Sequence, residues 1–310
     1  MPNPASDQPH HIVYIIILNW NGAKDTVECL ESLQRITYKN CHIVLVDNGS
    51  TDDSKAVLKD WIRKHSPAER ITLLELNENL GFSGGNNVGI DHAIKQNAEY
   101  VLLLNNDTIV TENFLTQLIA TANQEKSAGV ISCKIKCYSA KEKIWSCGGH
   151  VNFVKGAFYP DTTDVNGILE TDYITGCLML IPTQIIRTAG MLSEKYFLTW
   201  EDMDLCYRVK KAGYRLILNC DAVIYHKFNA SIGGLYRFRS QYYFHRNRMI
   251  FFSENLVGIK KHLFIYFQFL CAIPAWLIIE LLRGHGEAIQ GAFCGYKDFL
   301  KGVSGKSSYC

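Results

Sequence analysis

Tyr100-Val101-Leu102-Leu103-Leu104-Asn105-Asn106-Asp107-Thr108 is a short, unbroken apolar run that stops at two amides and a carboxylate. A run of this length between polar loops reads as a strand buried on both faces, as in a parallel sheet covered by helices. Asp107 then stands at the carboxyl end of a strand. In an open α/β sheet that end faces the ligand crevice, so an acid delivered there by a rigid strand can anchor a divalent cation. Asn-Asn-Asp is also ordinary turn chemistry, and the surrounding residues have to decide between the two readings.

Upstream, the same unit recurs. Residues 12–18 are a β-branched run broken by Asn19-Trp20-Asn21-Gly22, after which Val27, Leu30 and Leu33 return at helical spacing to about residue 36. Residues 42–46 form a second buried strand ending in Asp47-Asn48-Gly49-Ser50-Thr51-Asp52, and Val57, Leu58, Trp61 and Ile62 mark the helix that follows, with Asp52 and Asp53 at its first turn. A third strand, 71–76, runs into a glycine- and asparagine-rich stretch from Asn77 to Gly89 and a helix to about Gln96; a helix with Phe114, Leu115, Leu118 and Ile119 on one face follows the fourth strand. Alternating β and α units of this length predict an α/β fold, a mostly parallel sheet with helices on both faces.

Four polar clusters, Asn19 to Gly22, Asp47 to Asp52, Asn79 to Gly89 and Asn105 to Asp107, thus fall at carboxyl ends of strands and converge on one crevice. There Asp47 can accept hydrogen bonds from a base or ribose, and Gly81, Gly84 and Gly85 let backbone approach a ligand at a helix N-terminus, where phosphate is favoured. A dinucleotide-binding dehydrogenase is not supported: its G-x-G-x-x-G belongs in the first strand-to-helix turn, which here reads Asn-Trp-Asn-Gly, and no Walker lysine motif is present.

Past Gly129 the rhythm changes. Strands at 130–136, 144–147, 150–154 and 172–181 follow one another, then an aromatic loop, Tyr196 to Trp200, opens a helix at Glu201-Asp202-Met203-Asp204 that Gly213 stops. Strands 214–218 and 222–226 end at His226, and Asp204 and Arg208, four apart, read as a helix-surface ion pair. In the C-terminal part, residues 236–248 interleave arginines with aromatics and 263–282 are apolar almost throughout, long enough at ~30 Å to cross a bilayer as a helix but interrupted by Gln268, Pro274 and Glu280. An interfacial helix, a span and a buried core helix all stay open. The arginine-aromatic segment fits a membrane-surface platform for an anionic lipid-linked ligand better than single-stranded nucleic acid, because the net charge of the chain is only +2.

At 47% apolar and 20% charged residues, the 310-residue chain is globular in composition and excludes a disordered protein. Eleven cysteines are scattered without a C-x-x-C pair, which suits buried thiols in a reducing compartment and gives zinc little support. Met1 to His11 lacks the apolar core of a signal peptide, so a cytoplasmic start is expected.

Asp47-Asn-Gly-Ser-Thr-Asp52, the run from Asn79 to Gly89, Asn105-Asn-Asp107, Trp200-Glu-Asp202-x-Asp-Leu-Cys-x-Arg208 and the strand ending at His226, in this order, resemble the family 2 glycosyltransferases of GT-A fold, and among them rhamnosyltransferase-like and galactofuranosyltransferase-like members. The resemblance covers about residues 12–250. It implies a GT-A domain with a mixed central sheet over 12–235, divided into a nucleotide-sugar-binding half (12–128) and an acceptor-binding half (129–235), between a polar tail (1–11) and a helical membrane-associating region (236–310).

The resemblance also implies roles. Asn19, Asn21, Asp47, Ser50, Asn79, Gly85, Asn86, Asn105, Asn106 and Asp107 bind the nucleotide-sugar, Gly176, Trp200 and Glu201 the acceptor; Asp107 and His226 hold Mn²⁺ or Mg²⁺, and Asp202 is the catalytic base. One position departs from the family: Asn105 stands where its metal motif has a first aspartate, which implies weaker metal binding. The implied reaction is an inverting transfer from a dTDP- or UDP-sugar to a hydroxyl of a lipid-linked glycan at the cytoplasmic face of the membrane, by a protein that can be a homo-oligomer. The alternatives weighed are a sugar-phosphate nucleotidyltransferase, whose glycine- and arginine-rich first loop is absent, and a nucleic-acid-binding module.

Overall fold

The computed structural model of the chain describes residues 11–65, 70–153, 155–227 and 236–309. The N-terminal tail up to residue 10, and the expected boundary at residue 235, lie outside the described residues. The first half alternates up to β4 and then adds a short strand: β1 (Val13–Asn19), α1 (Ala23–Gln34), β2 (Cys41–Asp47), α2 (Ser54–His65), β3 (Ile71–Glu75), α3 (Gly81–Lys95), β4 (Tyr100–Asn105), β5 (Thr108–Val110) and α4 (Phe114–Gln124). Then come β6 (Ala128–Cys137), β7 (Ile144–Ser146), β8 (Gly149–Asn152), β9 (Ala157–Pro160), β10 (Ile168–Thr171), β11 (Leu178–Pro182), α5 (Thr183–Ala189), α6 (Glu201–Lys211) and β12 (Arg215–His226). The C-terminal region is helical: α7 (Phe238–Asn255), α8 (Ile259–Phe267), a π turn (Gln268–Ala272), α9 (Ile273–Leu282) and α10 (Gly286–Leu300).

One ten-stranded sheet runs β10-β12-β6-β11-β4-β1-β2-β3, with β5 added beside β12 and β7 beside β6. β3, β2, β1 and β4 are mutually parallel, β11 runs against both β4 and β6, and β12 is parallel to β6. Two reversals restore direction, so β12 points the same way as β4, and the carboxyl ends Asn19, Asp47, Asn105 and His226 all face one edge. Because side chains alternate along a strand, Val13, Ile15 and Ile17 of β1 pack with Leu30, Leu33, Leu58 and Phe114 on one face, while Tyr14 and Ile16 pack with Val46, Ile90 and Leu103 on the other. Helix α3 lies unusually close: a Cβ on Gly85 would strike Leu18, and one on Gly89 would strike Ile16.

The second half differs from the sequence reading in two places. The expected strand 172–181 is instead β10 and β11 joined by a loop, because residues 172–177 leave the sheet toward α6, with the Tyr173 hydroxyl on Asp202. The two expected strands 214–218 and 222–226 are one, β12, with a register shift between Asn219 and Val223; Asn219 Oδ1 takes the backbone N–H groups of Asp221 and Ala222 that the irregularity frees.

Helices α8 and α9 run on through the π turn as one 24-residue apolar helix, Ile259–Leu282. Its polarity is inverted. Gln268 and Glu280 are buried, the first on Lys155 O and the second on Arg283 and His285, whereas Leu263, Leu270, Leu281 and Leu282 are exposed, Leu282 to 83%. Helix α10 packs backbone to backbone on α7, where Gly291 and Gly295 meet the carbonyls of Phe238 and Tyr242.

Candidate active site

The edge of the sheet carries a continuous polar network. Asp47, fully buried, accepts from Ser50 N at 3.0 Å, Ser50 Oγ at 2.6 Å and Asn19 Nδ2 at 2.8 Å, with Lys55 Nζ 3.8 Å away. Asn19 Oδ1 takes the Thr26 hydroxyl at 2.9 Å, and that hydroxyl also accepts from Asn106 Nδ2 at 2.9 Å. Asn21, in the left-handed region at φ 52°, receives Thr51 N at 2.8 Å and so ties the first loop to the second. Asn19, Asn21, Asp47, Ser50 and Asn106 are therefore one assembly in which the Asp47 carboxylate organises its own loop.

Asn48 performs the next join and was missed in the sequence. Its Nδ2 donates to Asn79 Oδ1 at 3.1 Å and Gly81 O at 3.0 Å, and its Oδ1 takes Leu80 N at 2.9 Å, so it sets the start of α3. Its position after a strand-end acid was the available signal. Within α3, Gly85 is buried against Leu18 and Asn48, Asn86 bonds Phe82 O at 2.9 Å, and Asn87, also unassigned before, clasps the backbone of Leu192.

The structure brings Asp107 and His226 together. β5 pairs antiparallel with β12 so that Thr108 lies opposite His226, and the preceding Asp107 presents Oδ1 to His226 Nε2 at 3.0 Å across 119 residues of sequence. Both side chains are buried, and the Trp145 ring packs edge-on to the imidazole at 4.4 Å. Asn105 donates its backbone N–H to Cys177 O at 3.0 Å, which binds the end of β4 to the segment leading into β11.

That segment leads to Asp202. Gly176 N donates to Asp202 Oδ2 at 2.9 Å and the Tyr173 hydroxyl to the same oxygen at 2.6 Å, while Oδ1 accepts its neighbour Met203 N at 2.8 Å. A Cβ on Gly176 would lie 3.3 Å from the Phe82 ring and 3.5 Å from Asp202 Cβ, so the space here is close-fitting. Burial pushes the Asp202 carboxyl above its ordinary value, against the hydrogen bonds from Tyr173, Gly176 and Met203 that lower it. Glu201 beside it is 5% exposed, its Oε2 has no hydrogen-bond partner among the described residues, and burial followed by the Asp202 charge raises its carboxyl well above the usual range.

The chain enters this helix under strain. Phe197, Thr199 and Trp200 all lie in the left-handed region, at φ 61°, 63° and 75°. What holds them is Asn247 on α7, whose Nδ2 donates to the carbonyls of Tyr196, Leu198 and Thr199 at 2.7, 2.8 and 3.0 Å. Arg246, 0% exposed, braces Asn247 Oδ1 through Nε at 3.0 Å and reaches Gly305 O at 2.8 Å. Within the arginine-aromatic segment Arg246 is internal and Arg248 bonds Gly156 O at 2.7 Å, while Tyr236, Arg237 and Phe244 are exposed. Asp204 and Arg208 are no surface pair, since Asp204 is buried under the Tyr196 hydroxyl and Arg208 also bonds the carbonyls of Ala189 and Met191.

Asp107 and His226 offer a hard oxygen and an imidazole nitrogen to the same point, a donor set that fits Mn²⁺ or Mg²⁺. Among the described residues no cluster of three or more His, Cys, Asp or Glu side chains surrounds that point, so a ligand's own oxygens would have to complete the shell.

The strand-end loops thus share one edge of a mixed sheet, with Asp107 and His226 joined there, and this is the GT-A arrangement of sheet and loops. The model of glycosyl transferase family 2 matches residues 14–186, more than half of the chain, and the chain belongs to that family. It is 22% identical to the dTDP-rhamnosyl transferase RfbF of Shigella flexneri over 96% of this chain and 98% of that protein. To the low-salt glycan biosynthesis hexosyltransferase Agl10 of Haloferax volcanii it is 24% identical over 86% of this chain and 84% of the relative. Among solved structures, a mannosyltransferase from Pyrobaculum calidifontis in complex with GDP-Man and Mn²⁺ shares the fold, with a TM-score of 0.62 at 16% identity over 93% of this chain and 87% of the other. The protein is a glycosyltransferase.

Proposed function

We propose that this enzyme transfers a sugar, with inversion, from a dTDP- or UDP-sugar to a hydroxyl of a lipid-linked or other glycan acceptor during cell-surface polysaccharide or glycoconjugate synthesis. The observation that carries the reading is the 3.0 Å contact of Asp107 with His226 at the strand edge, one β11 connection away from the buried, raised carboxyl of Asp202. Residues 12–128 supply the donor side through the loops bearing Asn19, Asn21, Asp47, Ser50, Asn79, Gly85, Asn86 and Asn105 to Asp107. Residues 129–235 supply the acceptor side through Gly176, Trp200 and Glu201.

Asp107 and His226 would hold a divalent ion, whose positive charge would stabilise the diphosphate as it leaves. Asp202 Oδ1 takes the proton of the acceptor hydroxyl as its oxygen bonds to the anomeric carbon. The bond from that carbon to the diphosphate breaks on the opposite face, and the nucleoside diphosphate leaves. Tyr173 and Gly176 hold Oδ2 and so aim Oδ1. A raised carboxyl is a stronger base than a free one once ionised, which suits the task.

The inverted helix Ile259–Leu282 supports attachment at the cytoplasmic membrane surface. Phe264, Gln268 and Ile273 are buried while most of the apolar side chains are exposed, which supports a helix lying in the membrane interface. Lys260 and Lys261 at its start suit anionic headgroups.

Full-length protein incubated with UDP- and dTDP-sugars, vesicles carrying lipid-linked glycan and either Mn²⁺ or EDTA tests the reading. Release of nucleoside diphosphate that EDTA abolishes is expected. Equal turnover in EDTA would remove the metal, and absence of release with every donor would remove the donor class.

A further inference from the structure

Resting on the donor reading above, the geometry points to a residue that the sequence motifs did not: we propose that Arg239 grips the diphosphate of the donor and stays with it as it leaves. Arg239 lies in the first turn of α7, outside the sheet, yet its guanidinium carbon stands 4.8 Å from the ring centroid of Trp20 and 5.9 Å from that of Phe197. Trp20 lies between Asn19 and Asn21 in the first crevice loop. Phe197 packs on Gly81 and accepts Phe82 N at 2.7 Å, where α3 begins. The guanidinium therefore sits where the first and third crevice loops meet.

Its hydrogen bonding sets it apart from the other arginines of the segment. Arg237 pairs with Glu287, Arg246 with Gly305 O and Arg248 with Gly156 O, whereas Arg239 Nε is buried without a hydrogen-bond partner among the described residues. A buried donor of this kind is costly unless a ligand meets it. Stacking on an indole fixes the plane of a guanidinium and leaves its N–H edges available for two oxygens at once, which matches phosphate geometry.

Charge balance points the same way. Asp47 and Asp107 place buried carboxylates at this edge of the sheet. Of the nearby cations, Lys227 is held by Asp25 and Glu28, and Lys55 lies 3.8 Å from Asp47. Arg239 has no acid partner among the described residues, and the leaving diphosphate is the anion this site would have to attract.

A purely structural strap between α7 and Trp20 would use the same stack, and the two can be told apart. Calorimetric titration of wild type, Arg239→Gln and Arg239→Lys with UDP and dTDP, and with uridine and thymidine, all in Mn²⁺, reads the difference. Arg239→Gln should weaken the preferred diphosphate about tenfold, the loss of a charge-assisted contact, and leave nucleoside affinity unchanged, with Arg239→Lys recovering most of the loss. Undiminished diphosphate affinity in Arg239→Gln, or equal loss on diphosphate and nucleoside, would overturn the proposal. A wild-type protein that binds neither diphosphate would instead remove the donor reading on which it rests.

Discussion

The two lips of the crevice are built on opposite principles. On the strand side, Asn19, Asp47 and Ser50 satisfy one another, Asn48 bonds the start of α3 no more than 33 residues on, and both oxygens of the Asp47 carboxylate have a donor. On the helix side, the run Phe197 to Asp202 holds three left-handed residues and two buried oxygens, Thr199 Oγ1 and Glu201 Oε2, without hydrogen-bond partners among the described residues. Its support comes from Asn247, some fifty residues further on. The proposed donor side is built from loops that bond one another, whereas the loop leading to the proposed base is held by a helix outside the family-matched residues. Strain is tolerated where surrounding structure fixes it, and here the fixing is remote.

The contrast can be broken in order of expected effect. Asp202→Asn should lower kcat by about 10³-fold, the scale of general base catalysis, with unchanged affinity for UDP or dTDP; single-turnover kinetics would show it, and near-normal turnover would take Asp202 out of the mechanism. His226→Ala should cost about 10²-fold in turnover and weaken Mn²⁺ binding, read by electron paramagnetic resonance of free Mn²⁺. Asn247→Ala leaves three carbonyls to find other donors, so a loss of about 2 kcal/mol in stability with a drop in kcat but little change in donor affinity is expected from chemical denaturation and kinetics; equal damage to donor binding would show that the two lips are not independent.

Two smaller effects concern protons. Because Asp202 must be ionised to accept a proton and its carboxyl is raised, the rate should climb with pH through a midpoint above the ordinary carboxylate value of about 4, and a midpoint at or below that value would contradict the burial argument. Glu201 binds its proton more tightly folded than unfolded, so stability is lost as pH rises from the unfolded toward the folded value. Glu201→Gln has no such window. It should raise Tm by about 2 °C at neutral pH and change nothing below pH ~4, as a pair of melting curves would show.

The strand side was legible because its information is local. A buried run followed at once by Asn, Asp or Gly states both the strand and the direction in which its end points, and Asp47, Asn79 and Asp107 could be placed from that alone. Asp107 and His226 needed the topology, since only the two reversals around β11 bring β12 to the same edge. Asn247 and Arg246 were hidden for a different reason. Alternation of arginine with aromatics looks alike whether the arginines face a headgroup or a carbonyl, and only the packing of α10 on α7 shows that Arg246 faces inward. Gln268 and Glu280 read as interruptions of an apolar helix; both are buried, Gln268 on Lys155 O and Glu280 on Arg283 and His285.

The contact of Gly291 and Gly295 with the α7 backbone, together with the bond from Arg246 to Gly305, makes the enzyme sensitive to where a polypeptide is cut. A fragment ending near residue 256 would retain every crevice loop, yet it would lack the surface that seats α7 and the acceptor that orients Arg246. Such a fragment should still capture nucleotide while failing to turn it over.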